Sequence, residues 1–185
     1  MNNKYYKMEE AQQRINNWIS GSLNLSNLGL TEIPDNLPPG LQILNLNRNK
    51  ITEIPDNLPT DLRGLYLRCN KITKIPDNLP QSLQWLDLDY NKITEISDNL
   101  PQGLQRLFLR VNKIIEISDT LPQSLQSLDL KGNKIIEISD TLPQSLQWLD
   151  LENNQITEGY IINDDYNYDD NVYLFNNQTE YSKFY

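Results

Sequence analysis

Four carboxylates, Asp87, Asp89, Asp129 and Asp150, would fall on one face of a regularly wound chain. Carboxylates held together are the elementary apparatus of general acid–base hydrolysis. Their usual helpers are absent. The chain has no histidine and a single cysteine, Cys69, which excludes Ser–His and Cys–His nucleophile pairs, zinc sites of the Cys/His type and any intrachain disulfide. Cys69 has no activating base beside it in sequence. Each aspartate has an ordinary explanation as one rung in a ladder of charges on an open face, so no enzyme, no cofactor and no metal is expected. Recognition chemistry remains. Tyr66, Trp85 and Phe108 fall on successive predicted strands with Arg68, Asp89 and Arg110 beside them, and Asp87 and Trp148 share their face. Tyr, Trp and Arg dominate interface hot spots, and clustered exposed aromatics are uncommon on surfaces without partners. The competing reading is plain packing, with rings stacked across strands and Arg68–Asp89–Arg110 as a lateral ion ladder that contributes little. These eight residues are the expected protein-binding positions.

What must position them is a repeat. Leucine recurs at Leu41, Leu62, Leu83, Leu104, Leu125 and Leu146, always 21 residues on, and an asparagine closes each segment at Asn49, Asn70, Asn91, Asn112, Asn133 and Asn154. Self-similarity at such a period means a solenoid. Within a copy, Leu44 and Leu46 alternate with Ile43, Asn45 and Asn47, the pattern of a half-buried strand. A stacked asparagine amide both donates and accepts, so it can satisfy peptide groups that a turn would otherwise bury unpaired. Ile51, Ile54 and Leu58 follow as further inward positions, while Pro55 and Pro59 exclude a helix. The outer side of each coil is therefore expected to be thin and polyproline-like. One coil alone buries too little to offset the ordering of its backbone, so the copies must stack.

The ends depart from the period. Residues 4–19, KYYKMEEAQQRINNWI, place Met8, Ala11, Ile15, Trp18 and Ile19 at helical spacing, and Gly21 is suited to the left-handed residue after a helix. This amphipathic helix (residues 1–21) is expected to cap the first coil, where Leu28 replaces the asparagine and can meet the cap. Seven coils span 22–157. Residues 158–185 form an acidic Tyr/Asn-rich cap or tail, in which Glu158, Asp164, Asp165, Asp169, Asp170 and Glu180 against Lys183 carry −5 of the total −9.

That acidic balance argues against nucleic acid, which needs a basic surface. Mean hydropathy is −0.61, no apolar run is long enough to span a membrane, and the N-terminus lacks the apolar core of a signal peptide. A cytoplasmic chain is expected, a monomer or weak homo-oligomer. Lysines 50, 71, 92, 113 and 134 and the matching Glu and Asp columns read as solvated faces. Asn24-Leu25-Ser26 and Asn177-Gln178-Thr179 match the glycosylation acceptor pattern by chance.

The pattern LxxLxLxxNxIxxIPxxLPxx, covering residues 22–157, resembles the short-repeat class of bacterial secreted leucine-rich repeat effectors, the YopM and IpaH type. The resemblance implies an α/β-type solenoid, mainly β: a horseshoe with a parallel concave sheet, a polyproline-like convex side and an N-terminal helical cap. It also implies a non-catalytic protein–protein interaction module whose concave face binds a protein, commonly in the host-cell cytoplasm. Some members carry a cysteine ubiquitin-ligase domain after the repeats, but only 28 residues follow Thr157 here and none is cysteine. The alternative function is a substrate-recognition adaptor in a ubiquitin-ligase-type complex. The identical IPDNLP copies also suit recent duplication in a giant virus or a protozoan.

Overall fold

A computed structural model of the chain describes residues 3–138 and 141–156. It opens with helix α1, Asn3–Asn16, followed by strands β1 (Ser22–Asn24), β2 (Ile43–Asn45), β3 (Gly64–Tyr66), β4 (Trp85–Asp87), β5 (Arg106–Phe108), β6 (Ser127–Asp129) and β7 (Trp148–Asp150). The seven strands form one sheet in sequence order, each parallel to the next. At about 4.8 Å per strand the array is roughly 30 Å long. Among the described residues no helix or strand lies on the convex side, as the prolines require.

The alternation works as the leucine spacing dictates. Leu44, Leu46, Leu65, Leu67, Leu86 and Leu88 are fully buried, whereas Ile43 projects from the sheet and is exposed. The Ile51/Ile54/Leu58 set joins the same continuous core. Each asparagine then stitches two coils together. Asn91 Nδ2 donates to the Leu88 carbonyl of its own coil at 3.0 Å and to the Leu67 carbonyl of the preceding one at 3.0 Å. Its Oδ1 accepts from Ile72 N at 3.0 Å. Asn49, Asn70, Asn112, Asn133 and Asn154 repeat this arrangement. Where Leu28 replaces the first asparagine, its own N–H and that of Leu30 are both accepted by Asn49 Oδ1.

Two further details come from the convex side and the turns. Ser97 and Ser118, which replace proline, donate to Asp77 Oδ1 (2.9 Å) and Asp98 Oδ1 (2.8 Å) of the preceding coil. Part of the aspartate column is therefore bonded rather than simply solvated. Immediately before each asparagine the backbone is left-handed: Arg48, Cys69, Tyr90, Val111 and Asn153 have φ between 51° and 58°, and Gly132 has 73°. The turn needs this conformation, and glycine or asparagine adopts it most cheaply.

The helix is shorter than its apolar spacing predicts. It ends at Asn16, closed by Asn17 N to Gln13 O and by the tighter Trp18 N to Ile15 O. Ala11 and Ile15 are buried, but Met8 and Ile19 are exposed; the chain must leave the helical axis to enter β1, so the last turn of the predicted stripe never forms. Arg14 Nη1 bonds the Asn24 carbonyl at 2.8 Å, tying the cap to the edge strand. The predicted C-terminal cap or tail, 158–185, lies outside the described residues.

Two substitutions check this framework by urea unfolding. Asn112→Ala deprives buried backbone groups of partners and should cost about 3–5 kcal/mol. Val111→Asn relieves a β-branched residue held left-handed at φ 51° and should raise stability by about 1 kcal/mol.

Candidate functional site

Three outward columns cross the concave sheet. The first is Ser22, Ile43, Gly64, Trp85, Arg106, Ser127 and Trp148. The second is Asn24, Asn45, Tyr66, Asp87, Phe108, Asp129 and Asp150 in the same register. The third, one step beyond the strands, includes Arg68, Asp89, Arg110, Lys131 and Glu152. All eight residues singled out from the sequence lie on this face.

Four of them form a continuous aromatic chain. Ring centres are 5.8 Å apart for Tyr66 and Trp85, 5.6 Å for Trp85 and Phe108, and 6.4 Å for Phe108 and Trp148, each pair tilted. Such geometry is favourable between quadrupoles. Small neighbours make it feasible. A Cβ added at Gly64 would meet the Tyr66 ring at 3.4 Å, so the missing side chain is the space into which the tyrosine leans. Ser127 similarly stands in the first column between Arg106 and Trp148. The Arg106 guanidinium covers the Trp85 ring at 4.7 Å, and Arg68 lies over Tyr90 at 4.6 Å. Arg106 and Tyr90 were not among the eight predicted positions; Arg106 could have been found from the register alone, since it pairs with Trp85.

The predicted lateral ladder is present only in part. Arg68 Nη1 reaches Asp89 Oδ2 at 3.0 Å. Arg110, however, gives Asp89 only its backbone N–H, to Oδ1 at 2.8 Å, while its side chain turns to Asp129, with Nε 3.5 Å from Oδ2. That separation is an ion contact without hydrogen-bond geometry, and Arg110 Nε is buried without an acceptor. Asp89 already holds two donors, so the second guanidinium goes to the next carboxylate. Lys131 pairs with Glu152.

The four candidate carboxylates are structural at one oxygen. Asp87, Asp129 and Asp150 each accept at Oδ1 from the backbone N–H two residues on, at 3.0, 3.1 and 2.9 Å. Asn24 and Asn45 make the same bond in the first two coils. Burial is the main cause that raises the carboxyls. Asp89 rises to about 6 and Asp129 to about 7, each partly offset by its backbone bond and by arginine. Asp87 is also raised, again chiefly by burial. Tyr66 is raised by burial first and then by the charge of Asp87. Among the described residues no group of His, Cys, Asp or Glu is arranged to hold a metal. Cys69 is half-buried with a free thiol and serves as the left-handed turn residue of its coil.

These shifts have a sign. A carboxyl whose folded pKa exceeds its unfolded value binds protons more tightly when folded, so stability falls as pH rises from about 4 through the folded value. Stability should therefore decline between about pH 4 and 7. Asp129→Asn keeps the Oδ1 bond, as Asn24 and Asn45 do, and removes the buried charge. It should flatten that decline and add on the order of 1–2 kcal/mol at pH 8, measured by urea unfolding at several pH values.

Comparison with known proteins agrees with this architecture. Models of the leucine-rich repeat match residues 60–114 and, separately, 40–60, 124–146 and 145–164. No curated protein sequence matches. A Shigella effector leucine-rich repeat domain is similar at 28% identity and TM-score 0.67, over 82% of this chain and 78% of that one. A Leptospira interrogans leucine-rich repeat protein matches at 27% identity and TM-score 0.62, over 75% of this chain and 50% of its own length. YopM from Yersinia enterocolitica matches at 30% identity and TM-score 0.52, over 70% of this chain and 32% of that one. This chain thus spans half of the Leptospira protein and about a third of YopM. Among the described residues no helix is long and apolar enough to cross a membrane.

Proposed function

The chain belongs to the leucine-rich repeat family, with repeats of the bacterial-effector type, and we propose that its concave face binds a protein partner through Tyr66, Arg68, Trp85, Asp87, Asp89, Phe108, Arg110 and Trp148. Leucine-rich repeat folds generally mediate protein–protein interaction, and their solenoids are typically non-catalytic interaction modules.

The observation that carries the reading is the aromatic chain from Tyr66 to Trp148, laid across a sheet face from β3 to β7 with no helix over it among the described residues. The inward leucines already form the core, so the fold does not need these rings. Rigid aromatics with few rotamers to freeze are efficient contact surface. The carboxylate bonds favour binding over catalysis: Asp87, Asp129 and Asp150 are each anchored to the backbone two residues on, Asp89 to the backbone of the next coil, and Asp89 and Asp129 also hold arginine. The likeness to a Shigella effector domain is the ground on which we extend the proposal to a host-cell protein as partner.

The test is affinity capture on the immobilised full chain, compared with the Trp85→Ala/Phe108→Ala double variant. Capture of a specific partner should fall at least about tenfold, a loss of roughly 1.4 kcal/mol. Half-buried rings on the outer face should cost no more than about 2 kcal/mol of stability. Unchanged capture, or unfolding in parallel with the loss, would overturn the proposal.

A further inference from the structure

Resting on the reading of the concave face as a protein-binding surface, we infer that the partner presents a basic side chain, lysine or arginine, which seats on Asp87 between the rings of Tyr66 and Phe108. The register places Tyr66 on one side of Asp87 and Phe108 on the other. Trp85 precedes Asp87 by two residues on the same face, and its ring contacts both of the flanking rings. A carboxylate flanked in register by Tyr66 and Phe108 places full negative charge beside rings whose faces attract cations, and the Trp85 ring already carries the Arg106 guanidinium in that way.

Asp87 also has capacity to spare. Oδ1 accepts from Asp89 N, and among the described residues Oδ2 has no hydrogen-bond or ion-pair partner. The nearest basic side chains are committed elsewhere. Arg68 is paired with Asp89 and lies over Tyr90, and Arg106 lies over Trp85. Burial nevertheless holds the Asp87 carboxyl above the usual carboxylate range, against the opposing pull of its backbone bond and of Arg68, so the lost hydration of this charge has not been made good.

The other carboxylates of the face are less available. Asp89 has donors at both oxygens, Asp129 has Arg110, and Glu152 has Lys131. Asp150 bonds only at Oδ1 among the described residues but is nearly sealed, and only Trp148 accompanies it on its strand. A purely apolar partner segment would finish the burial of Asp87 without a counter-charge, an arrangement that costs rather than contributes. An acidic or phosphorylated segment would meet like charge.

The test is selection of a displayed random peptide library on the immobilised full chain, followed by binding of the enriched peptides to Asp87→Asn and to Trp85→Ala/Phe108→Ala. Asparagine suits the site structurally, since Asn24 and Asn45 hold the equivalent position with the same backbone bond. Enriched peptides should carry lysine or arginine, bind the Asp87→Asn variant about tenfold or more weakly, and lose binding to the double variant. Peptides that need Trp85 and Phe108 but lack a basic residue, or that ignore Asp87→Asn, would sink the basic-residue assignment and leave the concave interface standing. Basic peptides insensitive to every variant would be general attraction to an acidic chain, and they or an absence of enrichment would overturn the inference.

Discussion

Everything in this molecule hangs on one buried carboxamide in each coil after the first. The asparagine that ends each strand segment donates to a carbonyl of its own coil and to one of the coil before, and accepts an N–H from that earlier coil as well. Backbone groups inside a tight turn cannot reach water, and each left unpaired would cost about 1–3 kcal/mol. The carboxamide resolves this only when neighbouring coils lie at one fixed offset. A constant repeat length follows, as does the parallel in-register sheet. So does the left-handed residue that precedes each asparagine and turns the side chain inward.

Because framework and surface are separated in this way, the concave face can vary without loss of the fold. The second outward column shows how far this goes. Asn24, Asn45, Asp87, Asp129 and Asp150 all accept the N–H two residues on through Oδ1. An amide and an acid are interchangeable for the backbone there. They differ only in the second atom, which is either neutral or charged, so charge can be placed on the face one coil at a time. Rings are placed under a similar freedom, provided a small neighbour such as Gly64 leaves room for the lean.

Much of this was legible in the residues. The leucine and asparagine periods specify coil length, strand position and the inward side chains, because they repeat the same physical demand six times. The exposed lysine column is equally readable, since nothing in a coil offers a lysine an inward path. What could not be read depends on a single local geometry. Trp18 and Ile19 keep helical spacing, yet the helix stops at Asn16 because the chain has to turn toward β1, and spacing carries no information about direction of exit. Arg110 sits one coil from Asp89 and one from Asp129, and only the occupancy of Asp89 by other donors sends the guanidinium to Asp129. Ser97 and Ser118 look like mere losses of proline until their hydroxyls are seen bonding carboxylates of the preceding coil.

Asp87 marks the place where the demands of folding and the composition of the face part company. Judged by the fold alone, asparagine would serve better there: it makes the same backbone bond in two other coils and does not bury a charge. Arg68 offsets the carboxylate's burial only in part and pairs with Asp89 instead, while Arg106 lies over Trp85. Burial raises its pKa against the pull of its backbone bond and of Arg68. A carboxylate that burial disfavours, flanked in register by Tyr66 and Phe108, has on our inference its physical rationale in the complex, where a partner's positive charge supplies what Arg68 gives only in part.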